Sequence, residues 1–156
     1  MMNFLISGLA MEPFSGLFKL SDEELRSQKA IRCIADSKPG FPCRVSLVDA
    51  EPGETVILLP YVHHQVDSPY RSSGPIYVRE NAKEAKLTVN ELPEVVKNRL
   101  LSVRAYSKDS HMLGSAVVEG SNLISQISEF FADDTVAYLH LHNARPGCFS
   151  CRVDRA

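Results

Sequence analysis

Four residues near the carboxyl terminus have the types and the spacing of metal ligands. His140 and His142 lie two apart, and a Pro-Gly turn separates them from Cys148 and Cys151. Two imidazoles two apart on a strand point to the same side, and a Cys-x-x-Cys turn directs two thiolates to one centre. Nitrogen and sulfur ligands suit zinc or iron, so these four residues are the candidate ligands of a Zn or Fe site.

Cys43 is a candidate nucleophile because of its neighbours. It follows a Pro-Gly-Phe-Pro loop and precedes Arg44, and a positive neighbour favours the thiolate form of a cysteine. Cys43 and His142 are the catalytic pair of this hypothesis, with Cys148 and His63 as the alternative nucleophile and base. The substrate of such an enzyme would be a small molecule that carries a carboxylate or a phosphate.

Arginine, tyrosine and amide side chains supply candidate contacts for an anionic ligand. The segment 68–74 combines hydroxyl groups with Arg71, and a guanidinium can bind a carboxylate or a phosphate through two hydrogen bonds. An equally good interpretation is that Arg71 ties a long loop to the fold. The candidate ligand-binding residues are Arg44, His63, Tyr70, Arg71, Arg79, Arg104, Asn143 and Arg152.

The composition argues against several classes of partner. A length of 156 residues suits one domain with its own core, so residues 1–156 are expected to form a single domain. The formal net charge of −2 and the lack of a Lys/Arg cluster argue against nucleic acid. No apolar run reaches the roughly 20 residues that span a bilayer, and no basic residue precedes Lys19. We therefore expect no membrane partner and a cytoplasmic location; the oligomeric state stays open, a homodimer included.

Hydrophobic periodicity predicts an α+β fold. Ser21 and Glu24 have the spacing of a capping box at a helix start. Helices are expected at 21–29, at 92–100 and from Ser121 or Asn122 onward. Strands are expected at 3–9, 30–36, 43–48, 55–59, 75–80, 101–107, 112–119 and 135–142, with a short one after the last Pro-Gly turn. With a long polar loop at 61–74, these elements predict a largely antiparallel, twisted sheet with two to four helices packed mainly on one face.

Alternation along the strands assigns side chains to two faces of this sheet. Leu139 and Leu141 share one face, and His140 and His142 share the other. If the aliphatic faces meet the helices, the opposite face carries Tyr77, Arg79, Arg104, Tyr106, Tyr138, His140 and His142. Such a face is either a binding floor or the solvated side of an antiparallel sheet.

Three segments of the chain form distinctive phrases. They are Lys-Pro-Gly-Phe-Pro-Cys-Arg at 38–44, Asp-Ser-Pro-Tyr-Arg-Ser-Ser-Gly-Pro-Ile-Tyr-Val-Arg-Glu at 67–80 and His-Asn-Ala-Arg-Pro-Gly-Cys-Phe-Ser-Cys-Arg-Val at 142–153. Together they resemble the bacterial family catalogued as domain of unknown function 1203. The resemblance implies a single-domain bacterial protein and supplies no activity. Its segments coincide with the candidate residues above, which favours one shared site.

Three functional hypotheses follow from these residues. The first is a protein that binds a small anionic ligand or a metal through a Cys, His and Arg site. The second is a cysteine-dependent enzyme that acts on a small carboxylate- or phosphate-bearing substrate. The third is a structural module in which the Cys and His residues only hold the tail in place. A shared site requires Cys43 to lie near Cys148 or Cys151.

Overall fold

Two antiparallel sheets form the framework of the structure, a computed structural model that describes residues 2–156. The strands are β1 (Phe4–Ser7), β2 (Ile31–Ile34), β3 (Thr55–His64), β4 (Ser72–Arg79), β5 (Leu100–Tyr106), β6 (Met112–Glu119), β7 (Tyr138–Asn143) and β8 (Phe149–Arg155). The α-helices are α1 (Glu12–Ser15), α2 (Asp22–Ser27), α3 (Glu94–Lys97) and α4 (Leu123–Phe131). Single turns of 3-10 helix cover Gly16–Lys19 and Gly120–Asn122.

The larger sheet has the strand order β1-β8-β7-β5-β6, and all its neighbouring strands are antiparallel. Alternation along β7 directs Leu139 and Leu141 to one face, where they join the main hydrophobic core. Helix α4 adds Leu123, Ile127 and Phe131 to this core, because these residues recur at helical spacing. The aliphatic face of the larger sheet therefore meets helices, as the periodicity predicts.

The smaller sheet has the order β2-β3-β4, with the apolar segment of β3 in the middle. Leu25 of α2 and Phe14 of α1 lie in the buried clusters of this part of the fold. The end of β3 packs on the second face of the larger sheet, where His63 stacks on Phe149 with ring centroids 5.1 Å apart. Part of the polar face predicted from the sequence is thus an interface between two sheets.

The α+β class, the antiparallel pairing and the presence of four helices agree with the sequence-based prediction. The capping box of α2 is also present, because the Ser21 hydroxyl accepts from the Glu24 N–H and the Glu24 carboxylate accepts from the Ser21 N–H. The division into two sheets was not predicted, and the helices serve both sheets instead of one face. No helix in the described residues is long and apolar enough to cross a membrane.

Three predicted segments are wrong in type or in extent. The expected loop at 61–74 is only the short connection 65–71, because β3 continues to His64 and pairs with β4 across Tyr61 and Gly74. The expected strand at 43–48 is a turn, in which Leu47 has a φ of 56° and its N–H bonds to the Cys43 carbonyl. The expected helix at 92–100 shrinks to α3, and Leu100 already belongs to β5.

The contact between α3 and the 3-10 turn that follows β6 depends on a glycine. A Cβ on Gly120 would lie 2.0 Å from the Val96 carbonyl oxygen and 2.5 Å from that of Lys97. We expect Gly120→Ala to lower the free energy of unfolding by at least about 2 kcal/mol in urea denaturation, because backbone would have to move. Gly16→Ala is the control, since a Cβ there meets nothing within 4 Å. Equal stabilities of the two variants would contradict this packing.

Candidate functional site

Arg44 lies where three parts of the fold meet. Its carbonyl oxygen accepts a hydrogen bond from the Leu9 N–H just beyond β1, and its own N–H donates to the Tyr77 carbonyl of β4. The side chain is 2 % exposed. Its Nε donates to the Phe149 carbonyl at 2.7 Å and its Nη1 to the Pro42 carbonyl at 2.6 Å. Arg44 therefore joins the segment after β1, the smaller sheet and the start of β8.

The third guanidinium nitrogen of Arg44 contacts Cys148. Its Nη2 lies 3.0 Å from the Cys148 Sγ, and the Asn143 Nδ2 lies 3.5 Å from the same sulfur. Burial lowers the pKa of the Arg44 guanidinium, whereas the adjacent Cys148 acts in the opposite direction. The Arg44 guanidinium is therefore held within hydrogen-bonding distance of the Cys148 sulfur.

A cleft of about 560 Å³ opens beside this pair, a volume within the range of about 300–1,000 Å³ that is usual for small-molecule sites. The two Pro-Gly loops both contribute to it, whereas Cys43, which the expected shared site requires near Cys148 or Cys151, is not among the lining residues. The lining residues are Gly40, Pro42, Arg44, Tyr77, Asn98, Arg99, Leu100, Glu119, Asn143, Ala144, Arg145, Pro146 and Cys148.

Four of the five histidines pack between the two sheets. His63 and His64 lie at the end of β3, and His140 and His142 lie on β7. The ring centroids are 5.1 Å apart for His63 and His142, and 4.7 Å apart for His64 and His140. As predicted, His140 and His142 share one side of β7, opposite the leucines of the core.

Hydrogen bonds fix the tautomers of two of these histidines. The His64 Nδ1–H donates to the Tyr70 carbonyl at 2.7 Å, and its Nε2 forms a hydrogen bond with the Tyr138 hydroxyl, also at 2.7 Å. The His142 Nδ1–H donates to the Gly147 carbonyl at 2.9 Å. Because a carbonyl only accepts, His142 holds the residue before Cys148 in place.

Burial keeps three of the histidines neutral. It lowers the pKa of His63 to about 4, that of His142 to about 4 and that of His140 to about 2. Neighbouring histidines and arginines act in the same direction, whereas the hydrogen bond to Gly147 opposes the shift of His142. Among the described residues, the His63 Nδ1, the His140 Nδ1 and the His142 Nε2 are buried without a hydrogen-bond partner. These three rings are therefore uncharged at neutral pH.

The predicted Zn or Fe ligands do not come together. His140 and His142 point towards the smaller sheet, Cys148 lies at the cleft, and Cys151 faces the main hydrophobic core. Burial raises the pKa of the Cys151 thiol to about 12. Across residues 2–156, no group of three or more His, Cys, Asp or Glu side chains is arranged to hold a metal ion. The reason is local, because Cys151 lies inside β8, where alternation turns it away from the histidines.

Cys43 is enclosed and lies apart from the predicted base. Its side chain is 0 % exposed within an apolar cluster, and its sulfur accepts from the N–H groups of Ser46 at 3.5 Å and Arg79 at 3.4 Å. In the described part of the chain no hydrogen bond or ring contact joins it to His142. Of the two candidate nucleophiles, Cys148 lines the cleft and Cys43 does not.

Two predicted ligand-binding arginines are occupied by structural contacts. Arg79 forms an ion pair with Glu54 at 2.7 Å. Arg152 lies over the Tyr138 ring, 4.1 Å from its centroid, and pairs with Asp154 at 2.9 Å. Neither guanidinium reaches the cleft that holds Arg44.

The other predicted ligand-binding residues lie at different places. Arg104 donates from its Nε to the Ser102 Oγ at 3.3 Å, and His63 belongs to the histidine cluster. Arg71 is exposed and lines a separate, open depression formed by residues 65–71, and the Tyr70 carbonyl holds His64. Of the predicted set, Arg44 and Asn143 lie at the cleft.

Two cleft residues were missed by the sequence reasoning. Arg145 belongs to the repeated phrase of a basic residue followed by Pro-Gly, so the repeat could have identified it. Arg99 had no such signal. It donates from both terminal nitrogens to the Asp49 carboxylate, at 2.9 and 2.6 Å, and this pair forms only through long-range folding.

A comparison with known protein families gives one match. The family described as Protein of unknown function (DUF1203) matches residues 40–155. The matched region contains Arg44, Asn143 and Cys148. No curated protein and no solved structure matches the chain.

The neutral histidines predict a pH-dependent stability. Their folded pKa values lie below the unfolded value of about 6.5, so the unfolded chain binds more protons and stability falls as pH drops from about 6.5 towards 4. Each neutral histidine adds up to about 1.4 kcal/mol per pH unit to this slope. Urea denaturation between pH 7 and 5 measures this slope of the free energy of unfolding against pH. The range lies above that in which most carboxylates titrate, so the histidines dominate the slope. His111→Gln, at an exposed histidine, should leave the slope unchanged; a flat profile in the wild type would contradict a neutral cluster.

The contacts of Arg44 predict a large effect of its removal. Arg44→Ala leaves two buried carbonyls without a donor and Cys148 without its cation, so we expect a loss of about 3 kcal/mol or more in the free energy of unfolding. Arg152→Ala is the matched control, because its ion pair is exposed and worth less than about 1 kcal/mol. Similar losses in the two variants, measured by urea denaturation, would contradict the central position of Arg44.

Proposed function

This chain belongs to the family Protein of unknown function (DUF1203), and we propose that it binds a small molecule carrying a carboxylate or a phosphate in the Arg44 cleft. The proposal is carried by the guanidinium of Arg145 at this cleft, which is unpaired among the described residues. Asn143, which is 6 % exposed, also lines the cleft.

The positive charge that would bind the anionic group of the ligand belongs to Arg145. The other two arginines of the cleft are committed, since Arg44 serves two carbonyls and Cys148, and Arg99 serves Asp49. Arg145 is exposed at the cleft and, within residues 2–156, forms no hydrogen bond or ion pair through its side chain. A free guanidinium can bind a carboxylate or phosphate through two parallel hydrogen bonds.

The ligand that fits this cleft carries its anionic group at one end, where it would contact Arg145. The backbone holds Arg145 at this position, because the Gly147 N–H donates to the Asn143 carbonyl across the turn that contains it. Glu119 at the cleft further disfavours a ligand that is anionic along its whole length.

Titration with inorganic phosphate and with acetate tests the proposal. Amide correlation spectra at constant ionic strength should show saturable shifts for Asn143 and its neighbours in the turn. Arg145→Gln should weaken this binding about tenfold, the loss expected for one charge-assisted hydrogen bond. Arg71→Gln is the control, because that arginine is exposed in a different depression. Shifts that are absent from the turn, or equal losses in the two variants, would contradict the proposal.

A further inference from the structure

The charge of Arg44 needs a partner, and no carboxylate supplies it. Every ion pair between a basic side chain and a carboxylate in the described residues involves other groups. The residue is nevertheless 2 % exposed, and within residues 2–156 the only side-chain partner of its guanidinium is the Cys148 Sγ at 3.0 Å. A buried cation without a counter-charge carries a desolvation penalty of several kcal/mol. A negative charge on Cys148 would offset part of that penalty.

The donors around the sulfur agree with this charge. Both the Arg44 Nη2 and the Asn143 Nδ2 present N–H groups to the sulfur, and a thiolate accepts such bonds better than a thiol does. The cysteine lies at the wall of the cleft, within reach of a bound molecule.

We propose that Cys148 is a nucleophilic thiolate that exchanges with low-molecular-weight disulfides carrying a carboxylate. This inference rests on the ligand site proposed above. The carboxylate would bind to Arg145, which lines the same cleft as the Cys148 sulfur.

The exchange conserves atoms and electrons. The Cys148 thiolate attacks one sulfur of the disulfide, a new sulfur–sulfur bond forms, and the original one breaks. The leaving thiolate departs with the bonding electrons and takes a proton from water. Cys148 and one half of the former disulfide become a mixed disulfide, and the other half becomes a free thiol.

The mixed disulfide has no second cysteine to resolve it. Cys151 faces the opposite side of the sheet in the main core, and Cys43 is fully enclosed in another cluster. Cys33, on β2, does not line the cleft. Release therefore requires an external thiol, so the modification persists until a reductant arrives.

Oxidised glutathione is the probe for this site, because it is a small disulfide that carries carboxylates. Incubation of the native protein, followed by intact-mass measurement and peptide mapping, should show one glutathione moiety on Cys148. Cys148→Ser should show none, and Cys33→Ser, which removes another partly exposed thiol, should react like the wild type. Preferential modification of Cys33, or no modification of the wild type, would overturn the proposal.

The pH profile of the same reaction tests the thiolate itself. A preformed thiolate should react at a nearly constant rate from pH 6 to 8, whereas an ordinary thiol with a pKa near 8.5 gains about tenfold per pH unit in this range. An ordinary profile for Cys148 would overturn the inference. This measurement needs no substitution at Arg44, so it does not depend on the folding of a variant.

A comparison of two disulfides separates this inference from the proposed ligand site. Arg145→Gln should slow the reaction with oxidised glutathione about tenfold and leave that with hydroxyethyl disulfide, which is uncharged, unchanged. Fast reaction of both disulfides without an effect of Arg145→Gln would contradict the ligand site and keep the thiolate. Binding of phosphate together with a slow Cys148 would contradict the thiolate and keep the ligand site.

Discussion

The burial of one positive charge constrains the arrangement around the cleft. Arg44 lies where the segment after β1, the smaller sheet and the start of β8 meet, and its guanidinium is surrounded by protein. Two backbone carbonyls and one sulfur take up its directional donors. A lysine could not reproduce this planar pattern of donors, so the site demands arginine. The same contacts bring the two Pro-Gly loops together and create the cleft between them.

The packing of the two sheets depends on a different kind of interaction. At their interface the rings of His63, His140 and His142 surround Phe149, and burial keeps these imidazoles neutral. Neutral rings can pack as aromatic side chains do, whereas charged ones would repel one another. Through its hydrogen bond to Gly147, His142 also positions the turn at Cys148. The histidines thus support the cleft without lining it.

The hydrophobic periodicity of the sequence predicted the individual helices and strands better than the way they pair and pack. The capping box at Ser21, the hairpin of β5 and β6 and the apolar stripe of α4 are local patterns, and all three are present. The second sheet could not be predicted, because the partner of β3 depends on long-range pairing. Arg44 was predicted as a ligand contact, but its burial was not, since arginines are mostly exposed. The Cys-x-x-Cys spacing suggested a shared metal. However, Cys151 lies inside β8 and faces the main core, whereas Cys148 precedes β8 and lines the cleft.

The protonation state of Cys148 tests the pairing of Arg44 with a thiolate most directly. Ultraviolet absorbance distinguishes thiolate from thiol, and the difference between the wild type and Cys148→Ser isolates one sulfur. We expect a thiolate signal at neutral pH that disappears only in acid, and we expect the stability that Arg44 confers to be lost with it. A difference spectrum that shows no thiolate until about pH 8.5, the range of an unperturbed cysteine, would contradict this pairing.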